Sequence, residues 1–272
     1  MSKKETPNRS RFPQSKKFMK FIASQWEDKP ASTAKRWEVA DYAQARRERL
    51  AKLYPGKLIL IEAGSMKVRS NDTEYRFRAD TAFTYFTGWG SETVPDSVLI
   101  IDARKKTLKT RLYLRPTAGR DTNEFFANSM IGEFWTGPRP TLEDIETQLG
   151  IPTYDIKKLE EHLKDWPKPL SMKNAKFSEK VSAMRFVKDD YEIKQMRQAI
   201  EVTARGFADI AKAMPRAIRS THGERVIETT FFARAREEGY DLGYETIAAS
   251  GAHACILHWT RNDGQGKNGD LV

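Results

Sequence analysis

The chain has 272 residues, 39% apolar and 31% charged, with a formal charge of +10. That leaves room for one large domain or two ordinary ones, each with a real core. No apolar run approaches the ~18 residues a membrane span needs. The basic N-terminus has no apolar stretch behind it to make a secretory signal, so the expected address is cytoplasmic.

The charge is unevenly placed. Residues 1–35 carry nine basic and three acidic side chains, which leaves only +4 for the other 237. The excess belongs to a terminal arm, and no nucleic-acid face is expected on the folded part. Residues 1–13 read as a polar arm. Behind them, residues 15–26 put Phe18, Phe21, Ile22 and Trp26 on one helical face beside Lys16, Lys17 and Lys20. Such a helix can lie on an anionic membrane, or dock its aromatic face on the body or on a second subunit.

A helix is predicted over 33–54, stopped by Tyr54-Pro55-Gly56. Residues 57–62 read as a strand buried on both faces, since the apolar run between Lys57 and Glu62 is continuous and not alternating. Residues 69–80 are charged and loop-like, and 81–89 read as an aromatic strand closing in a glycine turn. A hairpin is predicted from strands at 98–102 and 110–114. Thr141 caps a helix carrying Leu142, Ile145 and Leu149, with Gly150 as its stop. A shorter helix follows with Ile156, Leu159 and Leu163.

From Asp189 a long helix repeats Ile193, Met196, Ile200, Thr203, Phe207, Ile210 and Met214 at spacings of three and four. Asp189 and Glu192 form its capping box, Pro215 closes it, and the stripe is expected to face a core. Thr221 and Glu224 have the same spacing at the start of a second helix, which Gly239 ends. Residues 244–262 read as two strands joined by a turn at Ser250-Gly251. Cys255, the single cysteine, excludes an internal disulfide and is expected in that buried strand as plain core. No phosphate-binding glycine loop, Cys-x-x-Cys or His-Glu-x-x-His motif is present. Alternating strands and helices argue for an α/β or α+β fold over a mixed sheet. The expected organisation is a basic extension at 1–32, a first domain at 33–177 and a second at 178–272.

At this point a family pattern emerges. Phe83-Thr-Tyr-Phe-Thr-Gly-Trp89 resembles part of the N-terminal domain of aminopeptidase P, and Met184-Arg-Phe-Val-Lys188 resembles that family's entry into its catalytic domain. Tyr244-Glu-Thr-Ile, Ser250-Gly251, Cys-Ile-Leu-His258-Trp and Asn-Gly-Asp270-Leu-Val are similar to the first strands of the pita-bread metallopeptidase fold. The resemblance runs from about residue 33 to 272 and leaves 1–32 outside. It implies removal of an N-terminal residue that precedes proline, by two divalent ions, usually manganese, bridged by a water and held by two aspartates, a histidine and two glutamates. By the match, the first aspartate would lie a few residues beyond Val272. This chain alone is therefore expected to hold no metal pair and to be inactive.

The same match makes His258 the histidine beside the metals that binds substrate and moves protons, and puts Tyr244 near the site as a substrate-side or ligand-orienting residue. His253 is expected to be a loop residue, and His162 and His222 surface residues. Peptides with proline in second position are the implied partners, and a homo-oligomer the implied assembly. The alternatives are a prolidase of the same fold or a non-catalytic pita-bread binding module.

Overall fold

The computed structural model describes residues 15–71 and 73–272; the arm read at 1–13 lies outside the described residues. The chain divides after Val187 into two compact units.

The first unit contains helices α1 (Lys16–Ile22), α2 (Val39–Leu53), α3 (Thr81–Thr87), α4 (Glu124–Ala127), α5 (Glu133–Thr136), α6 (Leu142–Leu149), α7 (Leu159–Lys164) and α8 (Ala175–Phe186). Its strands are β1 (Leu58–Glu62), β2 (Val68–Ser70), β3 (Thr73–Glu74), β4 (Val98–Asp102), β5 (Lys109–Leu114), β6 (Thr153–Asp155) and β7 (Leu170–Ser171). Five strands form a mixed sheet in the order β6-β5-β4-β1-β7, while β2 and β3 make a separate hairpin within the stretch read as a loop. β4 pairs antiparallel with both β1 and β5, and the edge strands β6 and β7 join parallel.

The continuous apolar runs have a simple cause: both faces of the sheet are covered. Ile59, Ile61, Leu99, Ile101 and Leu112 point into one core with Leu50, Phe83, Phe86, Leu149 and Phe177 from the helices. Leu58, Val98, Ile100 and Tyr113 point the other way, against Tyr154, Leu159 and Trp166. Each such side chain contributes about 1.5–3 kcal/mol on full burial.

The predicted aromatic strand at 81–89 is instead helix α3. Asp80 accepts from the Ala82 and Phe83 amides at 2.8 and 3.3 Å, and Gly88 ends the helix at φ 74°. A cap at one end and a left-handed glycine at the other override the strand preference of Phe, Tyr and Thr. The last carbonyls of α3 are taken by α2, where Arg46 donates to Tyr85 O at 3.0 Å and Arg47 to Phe86 O at 2.7 Å. Burial holds the Arg47 guanidinium down at about 10.

α1 and the segment that follows it dock on the body of their own unit. Phe18 meets Phe126 edge-on at 5.3 Å, and Trp26 meets Phe125 and Phe134 at 5.6 and 5.9 Å. Arg120 donates to Trp26 O at 2.9 Å, and Lys29 pairs with the buried Glu133 at 2.6 Å.

The second unit is built on α9 (Asp190–Arg219) and α10 (Gly223–Glu238), which run antiparallel. Arg234 pairs with Asp209 at 2.6 Å and Arg205 pairs with Glu238 across the seam. Phe207 meets Phe231 edge-on at 5.7 Å above Gly206, where a Cβ would come within 2.8 Å of the Phe231 ring. The Asp189–Glu192 capping box is present.

Three expectations are corrected here. Pro215 does not close α9, which continues for another turn; one amide is lost, but Ala217 is buried in a small core with Ile227 and Ala248. That core reaches the α9 stripe only at its C-terminal end, through the half-buried Ile210 and Met214, so Ile193, Met196, Ile200 and Phe207 are exposed, Ile200 by 64% and Phe207 by 63%. Residues 244–262 contain no strand, only a 3-10 turn at Gly251–Cys255.

Candidate functional site

The irregular segment after α10 is organised by one carboxylate. Glu224 lies in the first turn of α10 and is fully buried. The Thr221–Glu224 capping box does not form: His222 is the N-cap residue, without a side-chain cap. The Glu224 carboxylate is already taken, because five donors from the segment converge on it. Its Oε1 accepts from the Ser250 amide at 2.8 Å, the Ser250 hydroxyl at 3.1 Å and His253 Nδ1 at 2.9 Å. Its Oε2 accepts from Trp259 Nε1 and the Gly264 amide, both at 2.7 Å. The Glu224 amide returns a bond to Gly264 O at 3.1 Å.

Burial alone would raise this carboxyl. The bonds from Trp259, Ser250, His253 and Gly264 outweigh it and lower the pKa to about 2. A carboxylate suits the place because all five partners are donors and an ionised carboxylate only accepts.

Around this centre, the His253 ring stacks on the buried Trp259 at 3.8 Å, and Arg261 lies over Trp259 at 4.1 Å. Gly264 has no room for a side chain, since a Cβ would come within 2.6 Å of His253 Nδ1. A second polar staple secures the start of the segment. Asn262, buried and at φ 48°, accepts from the Ala248 amide at 3.0 Å and donates to Thr246 O at 2.9 Å. Gly251 turns at φ 57° beside Asp270, and its amide donates to Leu271 O at 2.9 Å. These side-chain bonds take the place of the ladder expected for two strands.

His258 lies between the 3-10 turn and Trp259 with its side chain exposed. Tyr244 is 83% exposed. Neither side chain makes a hydrogen bond among the described residues, so the structure brings neither onto the Glu224 centre. Cys255 is exposed, contrary to the buried-strand expectation, because the turn carrying it faces outward. His253 lies in a turn, as a loop residue would, but its ring faces Glu224. His222 is exposed. His162 is half-buried and its Nδ1 pairs with the Tyr113 hydroxyl at 2.6 Å, so it is no simple surface residue. Burial pushes the Tyr113 phenol up to about 12.

Sequence reasoning missed Glu224 as a centre. An acidic residue in a first helical turn is the ordinary complement of the helix dipole, and its partners lie 26 to 40 residues away. Among the described residues, no group of three or more His, Cys, Asp or Glu side chains stands close enough to hold a metal ion. The two-metal centre implied by the resemblance finds no donor set in them.

Two family models match the chain, one after the other. The model of the aminopeptidase P N-terminal domain matches residues 42–173, and that of metallopeptidase family M24 matches 194–272. Xaa-Pro aminopeptidase 1 of Streptomyces coelicolor is 37% identical over 270 residues, which cover 92% of this chain and 54% of the relative. Xaa-Pro aminopeptidase 2 of the same organism is 34% identical over 266 residues, 91% of this chain and 55% of the relative. The solved structure of Escherichia coli aminopeptidase P with the inhibitor Pro-Leu superposes with a TM-score of 0.67 at 22% identity, over 86% of this chain and 58% of that one. The chain thus spans about half the length of the curated relatives it matches.

Proposed function

Because the chain belongs to the aminopeptidase P family of metallopeptidases, with the fold of that family, we propose that the full-length protein removes the N-terminal residue from peptides with proline in second position. The substrate class, the use of two divalent ions, manganese first among them, a cytoplasmic setting and a homo-oligomeric state are all part of this reading. No described helix is long and apolar enough to cross a membrane. One observation carries the proposal: the two family models follow each other in order along one chain whose relatives at 34–37% identity are Xaa-Pro aminopeptidases.

Within this reading His258 is the residue of this chain that meets substrate. Its imidazole is exposed, on a stretch held on either side by the bonds of His253 and Trp259 to Glu224. A ring N–H there can donate to the scissile carbonyl oxygen as charge develops on it, and the ring can pass a proton onward. Tyr244, exposed on the same irregular segment, is assigned to the substrate side with its phenol as a hydrogen-bonding group. The 272-residue polypeptide by itself is proposed to be inactive, since its described side chains provide no metal donor set.

Purified full-length protein with manganese should release the first residue of an Xaa-Pro-Xaa peptide and leave the matching Xaa-Ala-Xaa peptide intact. No release from the proline peptide would overturn the reading. Turnover by the metal-loaded 272-residue polypeptide would overturn its inactive half.

A further inference from the structure

Residues 240–272 contain no regular element except one 3-10 turn. Ala248, Ser250, Trp259 and Asn262 are their only buried residues, too little apolar surface to order thirty residues by itself. The polar bonds to Glu224 supply what the core does not, and they fall on both sides of His258. Upstream, Ser250 and His253 are bonded to Oε1; immediately downstream, Trp259 is bonded to Oε2, and Gly264 closes the loop on the same oxygen. His258 is therefore the exposed tip of a loop whose two legs end on one buried carboxylate. The His253–Trp259 stack at 3.8 Å ties the legs to each other.

We infer that Glu224 is the positioning residue for His258, fixing the direction in which the imidazole is presented while touching no substrate itself. The inference rests on the proposed role of His258. Charge and geometry both matter: a glutamine would turn a donor toward one pair of N–H groups, leaving them unpaired in a buried place.

The test uses Glu224→Gln, which keeps the side-chain volume. In the 272-residue protein, the Ser250 and Gly264 amides and the Trp259 indole N–H should exchange with solvent at least ~10-fold faster, with Ile210 in α9 unchanged. Unchanged rates would overturn the inference. So would equal acceleration throughout 188–272, because Glu224 would then be a general stabiliser.

In the full-length protein, kcat for an Xaa-Pro peptide should fall at least ~10-fold with KM within ~2-fold, and Glu224→Gln should slow a His258→Gln background no further. Independent, multiplying losses would contradict positioning. If the wild-type protein does not hydrolyse the peptide, the proposed function fails, while the exchange comparison still decides whether Glu224 holds the loop.

Discussion

The two units are ordered by different means. In the first, a five-stranded sheet is sealed on both faces by aliphatic and aromatic side chains, and its polar groups are spent in ladders and caps. In the segment 246–264 of the second, one ionised carboxylate and one asparagine gather the backbone, and apolar burial is slight. An apolar core gives a uniform stability that responds weakly to pH. A carboxylate hub holds an irregular loop in one shape, but only while it is ionised and every donor is matched.

That contrast can be broken at either end. The largest effect is expected from Phe83→Ala in the sheet core, which should destabilise the first unit by about 3–5 kcal/mol. Denaturant unfolding monitored by hydrogen exchange should show the loss in the sheet and none in 246–264.

Acid should do the reverse. The Glu224 pKa is lowered from 4.5 to about 2, so its contribution is complete above pH 4.5 and is lost as pH falls from there toward 2. The full shift corresponds to about 3 kcal/mol. Exchange protection at Ser250 and Gly264 should weaken through that window before protection in β1 and β4 does.

A smaller change, about 1–2 kcal/mol, is expected for Asn262→Ala. It removes two hydrogen bonds and puts alanine at φ 48°, which asparagine tolerates better. Asn262→Gly, with the backbone relieved, should recover part of that loss in the same unfolding measurement.

Legibility in the sequence follows the same divide. Strands β1 and β4 could be read from their apolar runs, β5 as the second arm of a hairpin, and the helix starts at Thr141 and Asp189 from their caps, because these signals are local. Helix α3 could not: Phe, Tyr and Thr in succession carry strand preference, and the deciding contacts are the Asp80 cap and the arginines of α2 that take its last carbonyls. The α9 periodicity revealed the helix but not what covers its stripe. Glu224 and Asn262 were illegible as anchors, since a bond between residues 26 to 40 apart leaves no pattern in either neighbourhood. His258 is singled out by resemblance alone; in the structure it is exposed and immediately precedes the Glu224-bound Trp259 in the chain.

The proposed role of His258 turns on a buried, ionised Glu224 that holds its loop. The most direct measurement is the NMR titration of the Glu224 carboxyl carbon in the 272-residue protein. The expected midpoint is near 2, or none appears before the loop loses its exchange protection. A midpoint near 4.5 with Ser250 and Gly264 still protected would contradict it.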